Sequence, residues 1–387
     1  MSLTAGPSPR IALCREEDVR AVMSFIHDEW AKNHILSRDE ALLRWQYDTA
    51  VRDGRHDGPP SILLAWRGDR IVGMLGLTYM RWLQEGCTYS GAWTSHWFVV
   101  PELRESALSL LLLRRVAQLG ADLIGSVGVN DRAIGIIRNL GYEVIPEIPR
   151  WVAIIDPVKA VALLCASGVD SSRQDGMLGL FRERAVSEAA QRQPHSDWEI
   201  EEWSDDVAAE WDSCWERCLQ TGFTGVVRDS AYIRWRYLAH PTFRYGVWVA
   251  RHGPSDNIGG ILVSRLEVVR DRTERVLRIV DLLAQSRDAT DCLLNHLMGD
   301  ACKAGVAFAD FYCTKPIDGL ADAGFRIEQG PADPYPVPFR LQPLEPGGRP
   351  LNAAIRLPAR LRGTLGQLAA RGALYLTKSD GDQDRPN

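Results

Sequence analysis

Residues 99–109 read Val99-Val100-Pro101-Glu102-Leu103-Arg104-Glu105-Ser106-Ala107-Leu108-Ser109. An apolar β-rich run ends at the proline, and a leucine-rich run then opens a helix. The first N–H groups of a helix have no partner inside it, so such a turn is a ready seat for an anion. Ala107 and Ser109 are small enough to let an anion approach the backbone, though less freely than glycine. Arg104 adds a positive charge beside them. Elsewhere, His34 stands just after the first helical pattern in Asn33-His34-Ile35. A histidine with an ordinary pKa of about 6.5 accepts a proton near neutrality. The C-terminal stretch from Tyr375 to Arg385 is dense in hydrogen-bonding side chains. It reads equally as a solvated tail and as a ligand-binding segment folded back between domains. In the second case Asp380 and Asp382 offer carboxylates to an ammonium or to hydroxyls.

These residues need a scaffold, and periodicity supplies one. Strands are expected at Arg10 to Leu13, Ile62 to Trp66, Ile71 to Thr78, Gly91 to Val100, Asp122 to Val129 and Glu143 to Ile155. Helices are expected at Glu16 to Lys32, Ser37 to Tyr47, Leu103 to Leu119 and Arg132 to Asn139. Ser37 and Glu40 make a capping-box signal, Gly68-Asp69 a hairpin turn, and 52–60 a loop. An internal repeat follows. Arg38-Asp39-x-Ala41-x-x-Arg44-Trp45-x-Tyr47 recurs as Arg228-Asp229-x-Ala231-x-x-Arg234-Trp235-x-Tyr237. Both copies follow a Trp-bearing helix and precede a strand pair. Both halves then give a strand, a helix, a strand and a glycine–aromatic pair, Gly141-Tyr142 or Gly324-Phe325. Fixed order at one large period is the mark of a duplicated domain.

The 99–109 stretch resembles the pyrophosphate loop of the GNAT acetyltransferase superfamily, usually Val-x-Pro-x-x-Arg-x-x-Gly-x-Gly/Ala. Arg104 matches, while Ala107 and Ser109 replace the glycines. Asn130-x-x-Ala133 followed by Gly141-Tyr142 fits the family's downstream pattern. The resemblance covers about residues 10–155. It implies an acyl-CoA donor held by Phe98, Val99, Val100, Arg104, Glu105, Ser106, Ala107, Leu108, Ser109, Asn130 and Arg132. The family's usual tyrosine acid falls on Ile137, which carries no proton. Counting back from Arg104, the acceptor-facing strand positions are Trp93 and Ser95. Strand alternation puts these two on one face and His96 on the other. Trp93 is then a substrate-binding candidate, Ser95 a catalytic one, and His34 a base or substrate ligand. In the second half, Leu283 to Cys292 lacks glycine and carries Asp288 and Asp291 where an anion would sit, so that copy is expected to have lost CoA binding.

The fold expected is α/β (α+β layered): two tandem GNAT-like domains, each a mixed central sheet flanked by helices. Residues 1–156 carry the acyl-CoA site, 157–197 form a helical linker, 198–345 a degenerate second copy, and 346–387 a C-terminal helix, strand and polar tail. A length of 387 residues agrees with two domains. The formal net charge of −5 and the lack of a basic run argue against nucleic acid. The 8 cysteines have no zinc spacing, so no metal is expected, and reduced thiols fit a cytoplasmic protein. The longest apolar run, Ala107 to Leu113, is too short for a membrane span, which needs about 20 residues. Among tandem GNAT proteins the layout resembles nucleotide-sugar N-acyltransferases, which implies an acetyl or longer hydroxyacyl group moved onto a dTDP-linked amino sugar for surface polysaccharide. A homodimer is compatible with this. The rivals are a GNAT enzyme acting on another amine, a Fem-like aminoacyl transferase, and a degenerate pair that binds without turnover.

Overall fold

Turn chemistry sets the first sheet. Strand β1 (Arg10–Leu13) lies beside β2 (Ile62–Arg67), which Gly68-Asp69 joins to β3 (Arg70–Gln84). Glu85 and Gly86, both at positive φ, then turn β3 into β4 (Cys87–Val99). Two consecutive positive-φ residues are what a tight hairpin with right-handed strand twist requires. This hairpin runs well beyond the strands expected from alternation. Helices α1 (Val19–Phe25) and α2 (Glu40–Gln46) precede β2, and α3 (Leu108–Val116) follows β4 after a short turn at Pro101–Leu103. Then come β5 (Leu123–Val127), α4 (Asp131–Asn139) and β6 (Glu143–Ile145). The computed structural model describes residues 8–50, 58–168, 170, 172, 174–186, 197–328 and 350–384. The expected loop at 52–60 falls largely outside them.

The expected single strand from Glu143 to Ile155 is two strands. Pro146 and Pro149 flank an irregular link, because proline offers no N–H to a ladder. Strand β7 (Arg150–Ile154) leaves for the second sheet. Helices α5 (Pro157–Ala166) and α6 (Gln174–Arg184) follow. The second half holds β8 (Trp198–Glu202), α7 (Val207–Cys214), β9 (Thr224–Val226), α8 (Ser230–Ile233), β10 (Gly246–His252), β11 (Asn257–Val268), β12 (Arg275–Ala284), α9 (Arg287–Lys303), β13 (Phe308–Tyr312) and β14 (Arg326–Ile327). Strand β15 (Ala353–Arg356), helix α10 (Leu365–Ala370) and β16 (Leu374–Tyr375) end the chain.

Among the described residues, one sheet runs β1-β2-β3-β4-β5-β15-β6, with β9 and β16 attached beside β3. The other runs β14-β7-β13-β12-β11-β10-β8. Only β4–β5, β12–β13 and β9–β16 are parallel. The halves therefore exchange strands: β7 of the first joins the second sheet, and β15 from the C-terminal segment enters the first between β5 and β6. Leu108, Leu112, Leu113 and Val116 bury α3 against β2–β4, and α9 covers β8 and β10–β12. Among the described residues no helix is long and apolar enough to cross a membrane.

The repeat lies at the seam. Asp39 caps α2 by accepting from the Leu42 N–H, and Asp229 caps α8 by accepting from Tyr232. Trp45 and Trp235 stack with centroids 5.4 Å apart, and Trp45 Nε1 donates to the Trp235 carbonyl at 3.0 Å. Arg228 is fully buried. It donates to Asp281 and to Asp380, each at 2.8 Å. Arg236 donates to Asp384 at 2.7 Å and to the carbonyls of Ser379 and Gly381. The polar tail thus folds back between the sheets and is buried from Thr377 to Asp380. Removing one partner from a buried ion pair strands the other charge, at a cost of about 3–5 kcal/mol. Arg228→Met is therefore expected to lose about that much stability in urea unfolding, and a loss below about 1 kcal/mol would contradict this role for the seam.

Candidate functional site

A bulge re-aims the middle of β4. Gly76 pairs with Ser95, but Met74 pairs with Phe98, so His96 and Trp97 together face Leu75. His96 sits at φ +49°. The alternation that sends His96 away from Ser95 does not survive this extra residue. Both side chains meet the Tyr47 hydroxyl, Ser95 Oγ at 3.1 Å and His96 Nδ1 at 2.7 Å. Ser95 Oγ and His96 Nδ1 are 3.4 Å apart, and Asp382 Oδ2 lies 3.6 Å from that same nitrogen. Tyr47 reaches them because β3 carries Gly76, where a Cβ would stand 2.3 Å from the tyrosine ring. Trp30 and His34 each pack 5.2 Å from the His96 ring. His34 is buried, and its Nδ1 accepts from the Leu36 N–H at 3.2 Å, capping a short turn.

Next to the bulge, one edge of β4 has no strand partner among the described residues. Its ladder with β5 runs from Gly91↔Leu123 to Trp93↔Gly125 and stops. Thr94 Oγ1 donates to the Gly125 carbonyl, and Ser126 Oγ to the Thr94 carbonyl, both at 3.0 Å. Beyond them, β4 continues to Val99 with β3 as its strand partner among the described residues. This edge leads to the 99–109 loop. There Ser106 N–H donates to Leu103 at 3.0 Å, and Leu108 N–H to Ser106 Oγ at 3.2 Å. The Ser106 and Leu108 amides are thus committed to the turn, contrary to an open row from 106 to 109. Among the described residues, the amides of Glu105, Ala107, Ser109 and Leu110 make no hydrogen bond. Arg104 is exposed, with its guanidinium 5.4 Å from the Phe98 ring centre. Phe98 itself packs against Phe25 and Trp30, while Val99 and Val100 are core residues. Arg132 pairs with Glu105 at 2.8 Å, and Asn130 caps α4 by accepting from Ala133. Ile137 is buried in the core.

The corresponding opening in the second sheet is filled. The β12–β13 ladder ends at Ile279↔Phe311. Past it, Tyr375 Oη accepts from the Leu282 N–H at 3.0 Å, and Thr377 bridges to Cys313. Ser379 Oγ donates to the Val280 carbonyl at 3.1 Å. At the start of α9, Asp291 is held by Arg287 at 2.7 Å.

Trp93, Ser95, Asp380 and Asp382 line one narrow cleft with Trp45, Tyr232 and Arg236. The structure thus gathers residues from four distant stretches of chain. They differ in what they have left to offer. Asp380 is committed to Arg228 and to the Thr377 N–H. Burial pushes its carboxyl above its ordinary value, with Arg228 opposing. Asp382 pairs with no arginine or lysine among the described residues. Trp93 lies with its benzo edge on Gly125, where a Cβ would stand 2.2 Å from Cζ3. Sequence reasoning passed over Tyr47, Trp30 and Arg236 as site residues. Two of these stand in or beside the repeat, which was the available signal.

Solved structures share this architecture. A GCN5-related N-acetyltransferase from Anabaena variabilis superimposes with a TM-score of 0.57 at 12% identity, covering 91% of this chain and 74% of that one. The chain has the GNAT fold. A probable N-acyltransferase from Enterococcus faecalis gives 0.53 at 11% identity, covering 83% and 70%. Saccharomyces cerevisiae N-myristoyltransferase with bound myristoyl-CoA gives 0.54 at 11%, covering 92% and 85%. No protein-family model and no curated protein sequence matches the chain. Likeness at this identity concerns the fold alone. Gly76→Ala is expected to crowd the Tyr47 ring and cost about 1–3 kcal/mol in thermal or urea unfolding. On a Tyr47→Ala background the same change should cost little, because the coupled ring is gone. Equal costs on both backgrounds would show that Tyr47 does not depend on that glycine.

Proposed function

We propose that this chain is an acyl-CoA-dependent N-acyltransferase acting in the cytoplasm. The first half seats the donor, acetyl-CoA or a longer hydroxyacyl-CoA. The cleft between the halves takes the acceptor, the amine of a nucleotide-linked amino sugar. The observation that carries this reading is the unpaired edge of β4. It runs from the Ser95–His96–Tyr47–Asp382 cluster to a turn with unbonded amides. A pantetheine arm can pair with that edge while a diphosphate takes the amides of Glu105, Ala107, Ser109 and Leu110. The thioester carbon then lies near the bulge. The filled opening of the second sheet supports donor binding in the first half alone.

The chemistry needs a neutral amine and a good leaving group. A CoA thiol, with a pKa of about 8.5 by analogy with a free thiol, leaves as thiolate with little assistance. The apolar Ile137 is therefore no obstacle. Before attack the bound ammonium gives a proton to Ser95 Oγ, which lines the cleft, as Ser95 passes its own proton to His96 Nδ1 at 3.4 Å, and the neutral amine then displaces the thiolate. Asp382 at 3.6 Å stabilises the imidazolium that forms. Tyr47 Oη, hydrogen-bonded to both, holds Ser95 and His96 in place, and His34 and Trp30 fix the imidazole plane by packing. The aromatic walls, Trp45 and Tyr232 with the adjoining Trp235 and Tyr79, suit the stacking of a sugar or base. The tail closes the cleft, which supports a small acceptor over a macromolecular one.

The test is thiol release from acetyl-CoA with a dTDP-linked amino sugar, followed by mass spectrometry of the product. Wild-type protein should form the amide. His96→Gln should lower kcat by about 100-fold or more near neutral pH. The deficit should shrink as pH rises towards the amine's own pKa, where solvent removes the proton. Wild-type turnover in His96→Gln at neutral pH would remove His96 from the mechanism.

A further inference from the structure

Two buried donors in the cleft lack hydrogen-bond partners among the described residues. Trp93 Nε1 and Arg236 Nη1 each make no hydrogen bond among the described residues. Trp93 is 4% exposed and Arg236 3%, and both line the cleft that contains Ser95 and Asp382. A buried N–H left unmade costs about 1–3 kcal/mol, so two in one cleft point to a ligand that completes them. The Trp93 benzo edge rests on Gly125, which turns the pyrrole N–H edge away from that strand. Arg236 is held by three bonds through Nε and Nη2, leaving Nη1 as its unspent group. A tryptophan N–H and a guanidinium N–H are donors only. What they recognise must therefore present oxygen lone pairs.

Charge decides which oxygen. The seam beside the cleft holds Asp281, Asp380, Asp382 and Asp384 against Arg228 and Arg236. Asp382, which pairs with no arginine or lysine among the described residues, adds a carboxylate to the cleft wall and disfavours a further anion beside it. Asp382 is the carboxylate without an arginine, and it suits the ammonium that enters beside Ser95. Neutral oxygens remain for the two donors.

We infer that the cleft selects a polyhydroxylated amine, with Trp93 Nε1 and Arg236 Nη1 reading its hydroxyl or ether oxygens. The inference rests on the acyl-transfer reading above and adds the two groups that select its acceptor. It excludes plain alkyl amines and amino-acid carboxylates as preferred acceptors. The specificity donors come from opposite halves: Trp93 from β4, Arg236 from the second copy of the repeat.

The experiment measures kcat/KM with acetyl-CoA for glucosamine, cyclohexylamine and glycine, each corrected to the free-base amine. Wild-type protein should prefer glucosamine over cyclohexylamine by at least about 100-fold, as a site built for hydroxyls rejects an analogue that leaves its donors unpaired. Trp93→Phe keeps the ring and removes the N–H, and should narrow that ratio by about 10-fold. A wild-type ratio near one, a preference for glycine, or an unchanged ratio in Trp93→Phe overturns the inference. The wild-type ratio decides the matter even if the variant folds poorly. If all three amines are acylated equally, acyl transfer stands and only the hydroxyl reading falls. If none is acylated while a dTDP-linked amino sugar is, acyl transfer stands and this inference falls; if that sugar is not acylated either, both fall.

Discussion

Two arginines buried between the sheets hold this molecule in its working form. Arg228 and Arg236 come from the second copy of the repeat and grip residues 379–384 from the end of the chain. Buried guanidiniums are tolerable only when fully hydrogen-bonded and opposed by charge, and the tail supplies that opposition. Asp281 accepts from Arg228, Tyr237 and Tyr375, so tail and sheet share one network. The same residues then serve two further ends. Tyr375 to Ser379 close the opening of the second sheet, and Asp382 arrives beside His96 in the first. The two halves thus differ: the opening of the second sheet is closed, while one edge of β4 in the first has no strand partner beyond β5 among the described residues.

The repeat makes the divergence concrete. Tyr47 and Tyr237 occupy matching places, and each sends its hydroxyl to the bulged strand of its own sheet. Both sheets carry the register shift, at Met74/Gly76 and at Val263/Ser264. In the first half the tyrosine meets serine and histidine at the edge of a cleft. In the second it meets Asp281 inside a buried ion pair. One geometry, met by different partners, gives a serine–histidine–tyrosine cluster on one side and a buried ion-pair network on the other. The strand exchange of β7 and β15 ties the halves together.

Much of this was legible in the residues. The 99–109 turn, the Gly68-Asp69 hairpin, the repeat and the acidic start of the second loop carry local signals with direct structural readings. The polar tail was readable as one of two alternatives. What stayed hidden has identifiable causes. The bulge at His96 breaks the period of two, and nothing in the local pattern of Ser95-His96-Trp97 marks an extra residue. Gly76 and Gly125 mark it only once the rings of Tyr47 and Trp93 are seen over them. The exchange of β7 and β15 depends on pairings far apart in sequence, although Pro146 and Pro149 were a hint that the strand would break. Asp380 and Asp382 look equivalent as letters. Burial beside Arg228 consumes the first and leaves the second at the cleft.

The central claim is that donor binding belongs to the first half alone. Hydrogen exchange of the full-length protein, with and without saturating acetyl-CoA, tests it most directly. Added protection is expected across residues 94–110, where the β4 edge meets the turn, with residues 280–297 unchanged. Protection at the start of α9, or none at the β4 edge, would contradict the account.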